Sequence, residues 1–396
     1  MMQISPEIQL FIREHSSDDV RVLALQAKKY PDIDMPTVIT QIAGRKVAAE
    51  KIPSWWEIEK IWYPKHLSLE QCSSEITARY KARLLQGDSL TDLTGGFGID
   101  CSFLATGFKS ATYVERQEEL CEIAAHNFPV LNLNHINIKN EDGVTYLQAM
   151  SPVDCLFLDP ARRNEHGGKT VAISDCEPNV AELEELLLQK ANRVMIKLSP
   201  MLDLSLALKE LKHTQEVHIL SVNNECKELL ILLGQTSPAE ISIHCVNLFT
   251  KGTQKEQHFV FTREQEQCSE CTYTDSLETY LYEPNASLLK AGAFRSIAAA
   301  YPVRKLHPNS HLYTSDTFIE NFPGRIFRIV NQCSFNKKEV KENLADLKKA
   351  NVTVRNFPAT VAELRKRLHL TEGGDTYLFP STLNNGQKVL IRCEKV

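Results

Sequence analysis

The chain has 396 residues, of which 43% are hydrophobic and 24% charged, an ordinary globular composition that excludes wholesale disorder. Its 45 Lys and Arg stand against 50 Asp and Glu, so the net charge is −5 and a chain-wide basic coat for nucleic acid is excluded. No run approaches the ~20 apolar residues of a membrane helix, and Glu7, Arg13 and Glu14 interrupt the start as a signal peptide. Eleven cysteines, an odd number spread over a long chain, exclude a secreted disulfide framework and predict thiols in a reducing cytoplasm.

Residues 1–66 read as an N-terminal helical segment. Ile4, Ile8, Phe11 and Ile12 fall on one helix face, and Pro31, Pro36 and Pro53 divide the segment into short helices. Trp55, Trp56 and Trp62 are the three tryptophans of the chain; their clustering predicts packing against the next segment of the chain, with base stacking as the sharper alternative. Over 67–235 strands and helices alternate. Helices are predicted at 68–85, 99–105, 118–127, 180–190 and 202–211, and strands at 90–93, 111–114, 136–138, 153–158 and 193–198. Two further strands, 216–222 and 228–233, flank a polar link at 223–227 and are close enough to form a hairpin, so one of them is antiparallel. Apolar strands alternating with helices predict a parallel sheet covered on both faces.

From 236 to 324 the chain is a more polar connecting region, with strands predicted at 241–248 and 258–262 and a helix at 277–300; a loop is predicted at 307–313. Over 325–396 come a strand at 325–330, a helix at 337–350, a strand at 352–357 and a helix at 361–368. The final strands, 376–380 and 388–393, are joined around Asn384-Asn385-Gly386, which is hairpin turn chemistry. Residues 288–369 hold fifteen Lys and Arg against six Asp and Glu, an excess of nine positive charges on an otherwise acidic chain. That asymmetry suggests a phosphate-rich partner at one end. Cys268-Ser-Glu-Cys271 is a single CxxC, and His258 alone does not complete a zinc set, so no metal is expected.

The chemistry-bearing residues recur at strand ends. Asp92 lies at the end of the first strand of the alternating region, 90–93, and Thr94-Gly95-Gly96-Phe97-Gly98 comes next. Glycines there let the backbone turn sharply and approach a ligand, but their spacing is not the GxGxxG of a dinucleotide phosphate loop. Glu115 ends the second strand, where a carboxylate can accept both ribose hydroxyls of a nucleoside. Asn140-Glu141-Asp142-Gly143 comes after the third strand, and Asp159-Pro160 after the fourth. Polar groups at successive strand C-termini line the crevice where open α/β sheets bind ligands. This series resembles the class I S-adenosylmethionine-dependent methyltransferases. The resemblance implies a Rossmann-like α/β sheet with an antiparallel last strand and S-adenosylmethionine as cofactor. Asp92, Thr94, Gly95, Gly96, Gly98, Glu115 and Asp142 would line its site. Thr94 departs from the glycine many members carry.

Ser68-Leu-Glu-Gln-Cys-Ser-Ser-Glu75, Asp159-Pro-Ala-Arg-Arg163, Lys197-Leu-Ser-Pro200 and Asn223-Asn-Glu-Cys-Lys-Glu228 resemble a bacterial group of these enzymes. That group has a ferredoxin-like segment, here 283–324, and a C-terminal α+β THUMP-like domain, here 325–396. It implies methylation of a base in structured RNA, tRNA or rRNA. The alternative is a small-molecule or protein methyltransferase whose C-terminal domain is an interaction module. Asp159 would act beside the methyl group with Pro160 stiffening its turn. Arg162, Arg163, Lys197 and Ser199 would contact substrate. Asp159-Pro-Ala-Arg lacks the aromatic residue that amino-methylating enzymes stack on a flipped base, and Ser199 stands where carbon-5 pyrimidine methylation needs a cysteine.

Overall fold

The structure is a computed structural model describing residues 5–162 and 172–396. The described residues form two units, one running to Gln215 with Leu229–Pro238 added, the other Glu216–Glu228 with Ala239–Val396.

The first unit opens with α1 (Pro6–Glu14), α2 (Val20–Leu25), α3 (Met35–Lys51) and α4 (Pro53–Trp56). Ser5, Asp19 and Asp34 cap the first three by accepting backbone N–H groups. Phe11, Leu23, Met35, Val38 and Ile42 bury one small core. Farther along, Ala48, Ile52, Trp55 and Tyr63 join Phe97, Ile99, Leu120 and Ile123 in a second, so the early helices are built into the layer beside the sheet. The Trp55 ring meets Phe97 edge-on at 5.2 Å, and Trp62 stacks on His126 at 3.7 Å. Packing thus occupies both rings, while Trp56 is exposed with Arg45 over it.

The helix expected over 68–85 is two, α5 (His66–Gln71) and α6 (Glu75–Ala82), because Cys72 and Ser74 take extended backbone angles. The sheet strands come next: β1 (Ser89–Asp92), β2 (Ser110–Glu115), β3 (Ile136–Asn140), β4 (Val153–Leu158) and β5 (Ala191–Leu198), with the hairpin strands β6 (Thr214–Val222) and β7 (Glu225–Gly234) after them. The first five are parallel neighbours in the order β5-β4-β1-β2-β3, and β7 lies antiparallel on β5. Consecutive residues of β4, Cys155 to Leu158, are all buried, as a strand covered on both faces requires. Helices α7 (Ile99–Ala105), α8 (Glu118–Val130), α9 (Gly143–Ala149), α10 (Val180–Lys190) and α11 (Leu204–Glu210) make the connections. Strand order reverses between β1 and β4, the switch point at which such sheets hold ligands.

In the second unit, Asn223 and Asn224 turn the β6–β7 hairpin with φ of 50° and 68°. The expected five-residue polar link is only this pair. β8 (Ser242–Leu248) runs parallel to β6 and β9 (Glu256–Thr262) antiparallel to β8. After α12 (Arg263–Cys268) comes a seven-stranded sheet of β10 (Tyr280–Pro284), β11 (Arg304–Lys305), β12 (Tyr313–Ser315), β13 (Gly324–Ser334), β14 (Asn351–Val352), β15 (Thr376–Thr382) and β16 (Lys388–Lys395). Its order is β11-β12-β10-β13-β16-β15-β14. Helices α13 (Ala286–Ala291), α14 (Phe294–Ala300), α15 (Lys337–Leu344) and α16 (Val361–Leu368) complete the unit.

The helix expected over 277–300 is corrected: Tyr280–Pro284 is a central strand, whose alternate aromatics suit a pleated surface, and Asn285 then caps α13. The helix expected to 350 stops at Leu344, and the strand expected at 352–357 is the short β14, after which the Thr353 and Arg355 N–H groups still donate to the Leu378 and Pro380 carbonyls at 3.0 Å. Part of the loop expected at 307–313 ends in β12. Among the described residues no helix is long and apolar enough to cross a membrane, and all eleven cysteines are free thiols.

Candidate functional site

Asp92 ends β1 and is 1% exposed. Its Oδ1 accepts the Thr94 N–H at 3.0 Å, and the Thr94 hydroxyl accepts the Asp159 N–H at 2.6 Å. The departure from glycine at 94 therefore ties the loop after β1 to the Asp-Pro turn after β4. Gly95 sits where a Cβ would lie 2.2 Å from the buried Tyr113 ring, and Gly96 has φ +54°. Both need glycine, the first for space and the second for its left-handed backbone.

Glu115 ends β2 and is nearly buried. Its carboxylate accepts the Gly96 N–H at 2.8 Å and the Gln117 N–H at 2.9 Å, one on each oxygen. The loop after β1 is thus fastened to the end of β2 as well. Asn140, opposite Glu115 in register on β3, donates to the Glu115 carbonyl at 2.9 Å. Asp142 is exposed and caps α9 by accepting the Val144 and Thr145 N–H groups, each at 3.0 Å.

Asp159 comes directly after β4, and Pro160 is buried behind it. The Lys197 ammonium, near the end of β5, donates to the Asp159 carboxylate and lies 3.6 Å from Asp100. Asp100 in α7 also meets Lys81 at 3.0 Å and accepts the Ser73 hydroxyl at 2.7 Å, while Lys81 donates to that hydroxyl at 2.9 Å. The break between α5 and α6 is what presents Ser73 here. Burial opposes ionisation of Asp100, but Lys81 and Lys197 outweigh it and lower its pKa. For Asp159 burial prevails over Lys197 and the pKa rises. Its side chain keeps 36% exposure, enough for a substrate to reach it. Asp92 is pushed up to about 8, first by burial and then by Asp100, Asp159 and Glu115.

Four carboxyl groups therefore converge on the ends of β1, β2 and β4 with two ammonium groups among them. The suppressed ionisation of Asp92 comes first from its burial and only then from the neighbouring carboxylates. A cation held beside these carboxyl groups would favour their charged forms, and the glycine loop leaves its backbone open to close approach. The residues present fit a nucleoside ligand bearing a sulfonium.

The structure joins Asp92, Thr94, Gly96, Glu115, Asp159 and Lys197 by hydrogen bonds, with Gly95 and Gly98 shaping the same loop. Asp142 stands apart as a helix cap. Ser199 accepts the Met201 N–H in the turn after β5. Ala161–Arg162 pairs with Cys176–Glu177 as a two-residue ribbon, and Arg163 lies outside the described residues. Sequence reasoning passed over Ser73, Lys81 and Asp100. Lys81 carried a signal, since it falls on the buried face of α6 with Thr77 and Ala78.

The parallel sheet with an antiparallel last strand on β5 and this loop series define a Rossmann-like, class I methyltransferase fold. The pattern of a ferredoxin-like domain matches residues 280–323 and that of a THUMP domain-like family residues 324–395. A crystal structure described as a "putative methyltransferase" from Porphyromonas gingivalis W83 is 35% identical, covers 98% of each chain and superposes with a TM-score of 0.87. The chain belongs to the family of that protein: methyltransferase-fold proteins with a ferredoxin-like segment and a THUMP-like domain. An rRNA methylase from Streptococcus thermophilus is far more distant, at 14% identity over 40% of this chain and 93% of its own, with a TM-score of 0.29. No curated protein matches the chain.

Proposed function

We propose that this protein transfers a methyl group from S-adenosylmethionine to a base of structured RNA, tRNA or rRNA. The observation that carries the proposal is the hydrogen-bonded chain from Glu115 through the glycine loop and Thr94 to Asp159, at the point where strand order reverses. S-adenosylmethionine, when bound, supplies an electrophilic methyl group on a sulfonium. The protein's work is then alignment, exclusion of water and management of one proton.

Asp92, Thr94, Gly95, Gly96 and Gly98 would form the floor under the cofactor. Glu115 would accept its ribose hydroxyls on lone pairs its two N–H bonds leave available, and Asp142 would stand at its base. Asp159 would accept a hydrogen bond or the proton from the attacking atom, with Pro160 fixing the turn. Lys197, almost buried against Asp159, is better placed to orient that carboxylate than to reach substrate. Arg162, Arg163 and Ser199 remain the substrate-side candidates.

Support for an RNA acceptor comes from the THUMP-like match and from the distribution of charge within the second unit. Arg325 and Arg355 are taken up by the buried Glu283, Arg304 by Glu278, and Arg365 by Glu372. Lys337, Lys338, Lys341, Lys348, Lys349, Lys366 and Arg367 remain exposed. They lie on or beside α15 and α16, whose Leu344, Val361 and Leu368 share one core. The same reading divides the chain at 66/67, 235/236 and 324/325.

The test is transfer of radiolabelled methyl from S-adenosylmethionine to total RNA from a strain lacking the gene. Label is expected in RNA with the wild-type protein and absent with Asp159→Ala. Glu115→Ala should lose cofactor affinity, while Asp159→Ala should keep it and lose turnover. Cofactor binding without label in any RNA fraction would move the acceptor to a protein or small molecule. Unchanged transfer by both variants would overturn the site.

A further inference from the structure

Strand register in the second unit assembles a second cluster of ligating side chains that the methyl-transfer site does not use. In a strand, residues two apart share a face, so Glu216 and His218 of β6 point the same way. Parallel pairing sets His218 opposite His244 of β8 and Glu216 opposite Ser242. On β9, His258 pairs with Val246, two positions along from His244 and on the same face. One face of three adjacent strands thus presents Glu216, His218, His244 and His258.

The side chains converge as their backbones allow. Ligand atoms of Glu216, His218 and His244 all lie within 4.8 Å of one another. His218 Nε2 is 3.3 Å from a Glu216 oxygen, and His244 Nδ1 is 3.1 Å from His258 Nε2. The His218 and His244 rings stack at 4.3 Å, and those of His244 and His258 at 5.3 Å. A tetrahedral zinc with bonds of about 2.0–2.1 Å separates its donors by roughly 3.3 Å. The shorter distances already match that spacing; because an imidazole nitrogen bonds a metal in the plane of its ring, the stacked rings must turn out of their stacks to bring the 4.8 Å spread onto one ion.

We propose that Glu216, His218 and His244, with His258 as the fourth donor, bind a divalent transition metal, zinc being the ion the donor set suits best. Imidazole nitrogen with one carboxylate is a borderline set that favours Zn²⁺ over the oxygen-seeking Mg²⁺ and Ca²⁺. His218 is 2% exposed, which shields that ligand from solvent, while exposed His258 leaves an entry route for the ion. The β6–β8–β9 framework fixes the donors on regular backbone, the arrangement that holds a metal site in geometry. The Ser242 hydroxyl, 3.3 Å from His244 Nε2, accounts for the other ring nitrogen of that ligand.

The test uses the full-length protein without a histidine tag, stripped with chelator and titrated with Zn²⁺ against a chromophoric competitor. One equivalent is expected to bind with micromolar or tighter affinity. His244→Phe, which keeps a ring in the stack, should weaken binding at least ~10-fold, the scale seen when a site loses a supporting group. His258→Ala, at an exposed position, should weaken it as well. Cys268→Ser with Cys271→Ser should leave it unchanged. Co²⁺ in place of Zn²⁺ should show visible ligand-field bands without a thiolate charge-transfer band. No stoichiometric binding would overturn the proposal. So would binding that tracks the cysteine pair and ignores both histidine variants.

Discussion

Replacing Asp92 by Asn should change how the stability of the first unit responds to pH. Asp92 is pushed up to about 8 by burial and by the surrounding carboxylates, from an ordinary value of 3.8. Between those two values the folded chain holds a proton at Asp92 that the unfolded chain releases. The folded state therefore binds more protons, and its stability falls as pH rises through this window. One proton corresponds to about 1.4 kcal/mol per pH unit. From about pH 6.0 to 7.5 the wild type should lose about 2 kcal/mol that Asp92→Asn does not lose. Asn is close in shape to the protonated acid, and its amide oxygen can still accept the Thr94 N–H. For a unit of this size, about 2 kcal/mol corresponds to roughly 4–8 °C in Tm. Thermal unfolding of both proteins at the two pH values, each tracked by a probe in the first unit such as Trp55 fluorescence, gives the difference directly. Asp159 and the other titrating groups remain in both proteins and cancel to first order. Melting temperatures that move in parallel between the two pH values would refute the argument and show Asp92 to be ionised.

The charges set two further outcomes. Lys81→Met should cost about 3–5 kcal/mol, because it strips a buried partner from Asp100; adding Asp100→Asn should recover most of the loss, as thermal unfolding of the pair will show. In the second unit, Lys337→Ala with Lys338→Ala and Lys341→Ala should weaken tRNA or rRNA binding and make the salt slope shallower by about one per lost phosphate contact. A titration in which affinity falls but the slope is unchanged would count against phosphate contact.

Much of the first unit was legible in sequence because its signals are local. The apolar run 153–158 reads as a covered strand, and the glycines at 95, 96 and 98 mark a tight turn whatever surrounds them. Where local pattern was ambiguous, tertiary pairing prevailed. Tyr280–Pro284 adjoins a helix-like stretch, yet it is held between β12 and β13 as a strand. Trp55 and Trp62 suit stacking platforms by residue type alone, but Phe97 and His126 occupy them.

The sequence by itself determined the alternation of strands and helices through the first unit's sheet, the turn chemistry at Thr94–Gly98, and which acids stand at strand ends. Only the tertiary structure decided which polar side chains meet: Ser73 and Lys81 with Asp100, Lys197 with Asp159, and His218 with His244 across two strands. Periodicity and turn preference act between neighbours in the chain, and so they can be read from it. Pairing between residues tens of positions apart is set by strand register and by the packing of whole helices, and no local stretch of sequence encodes it.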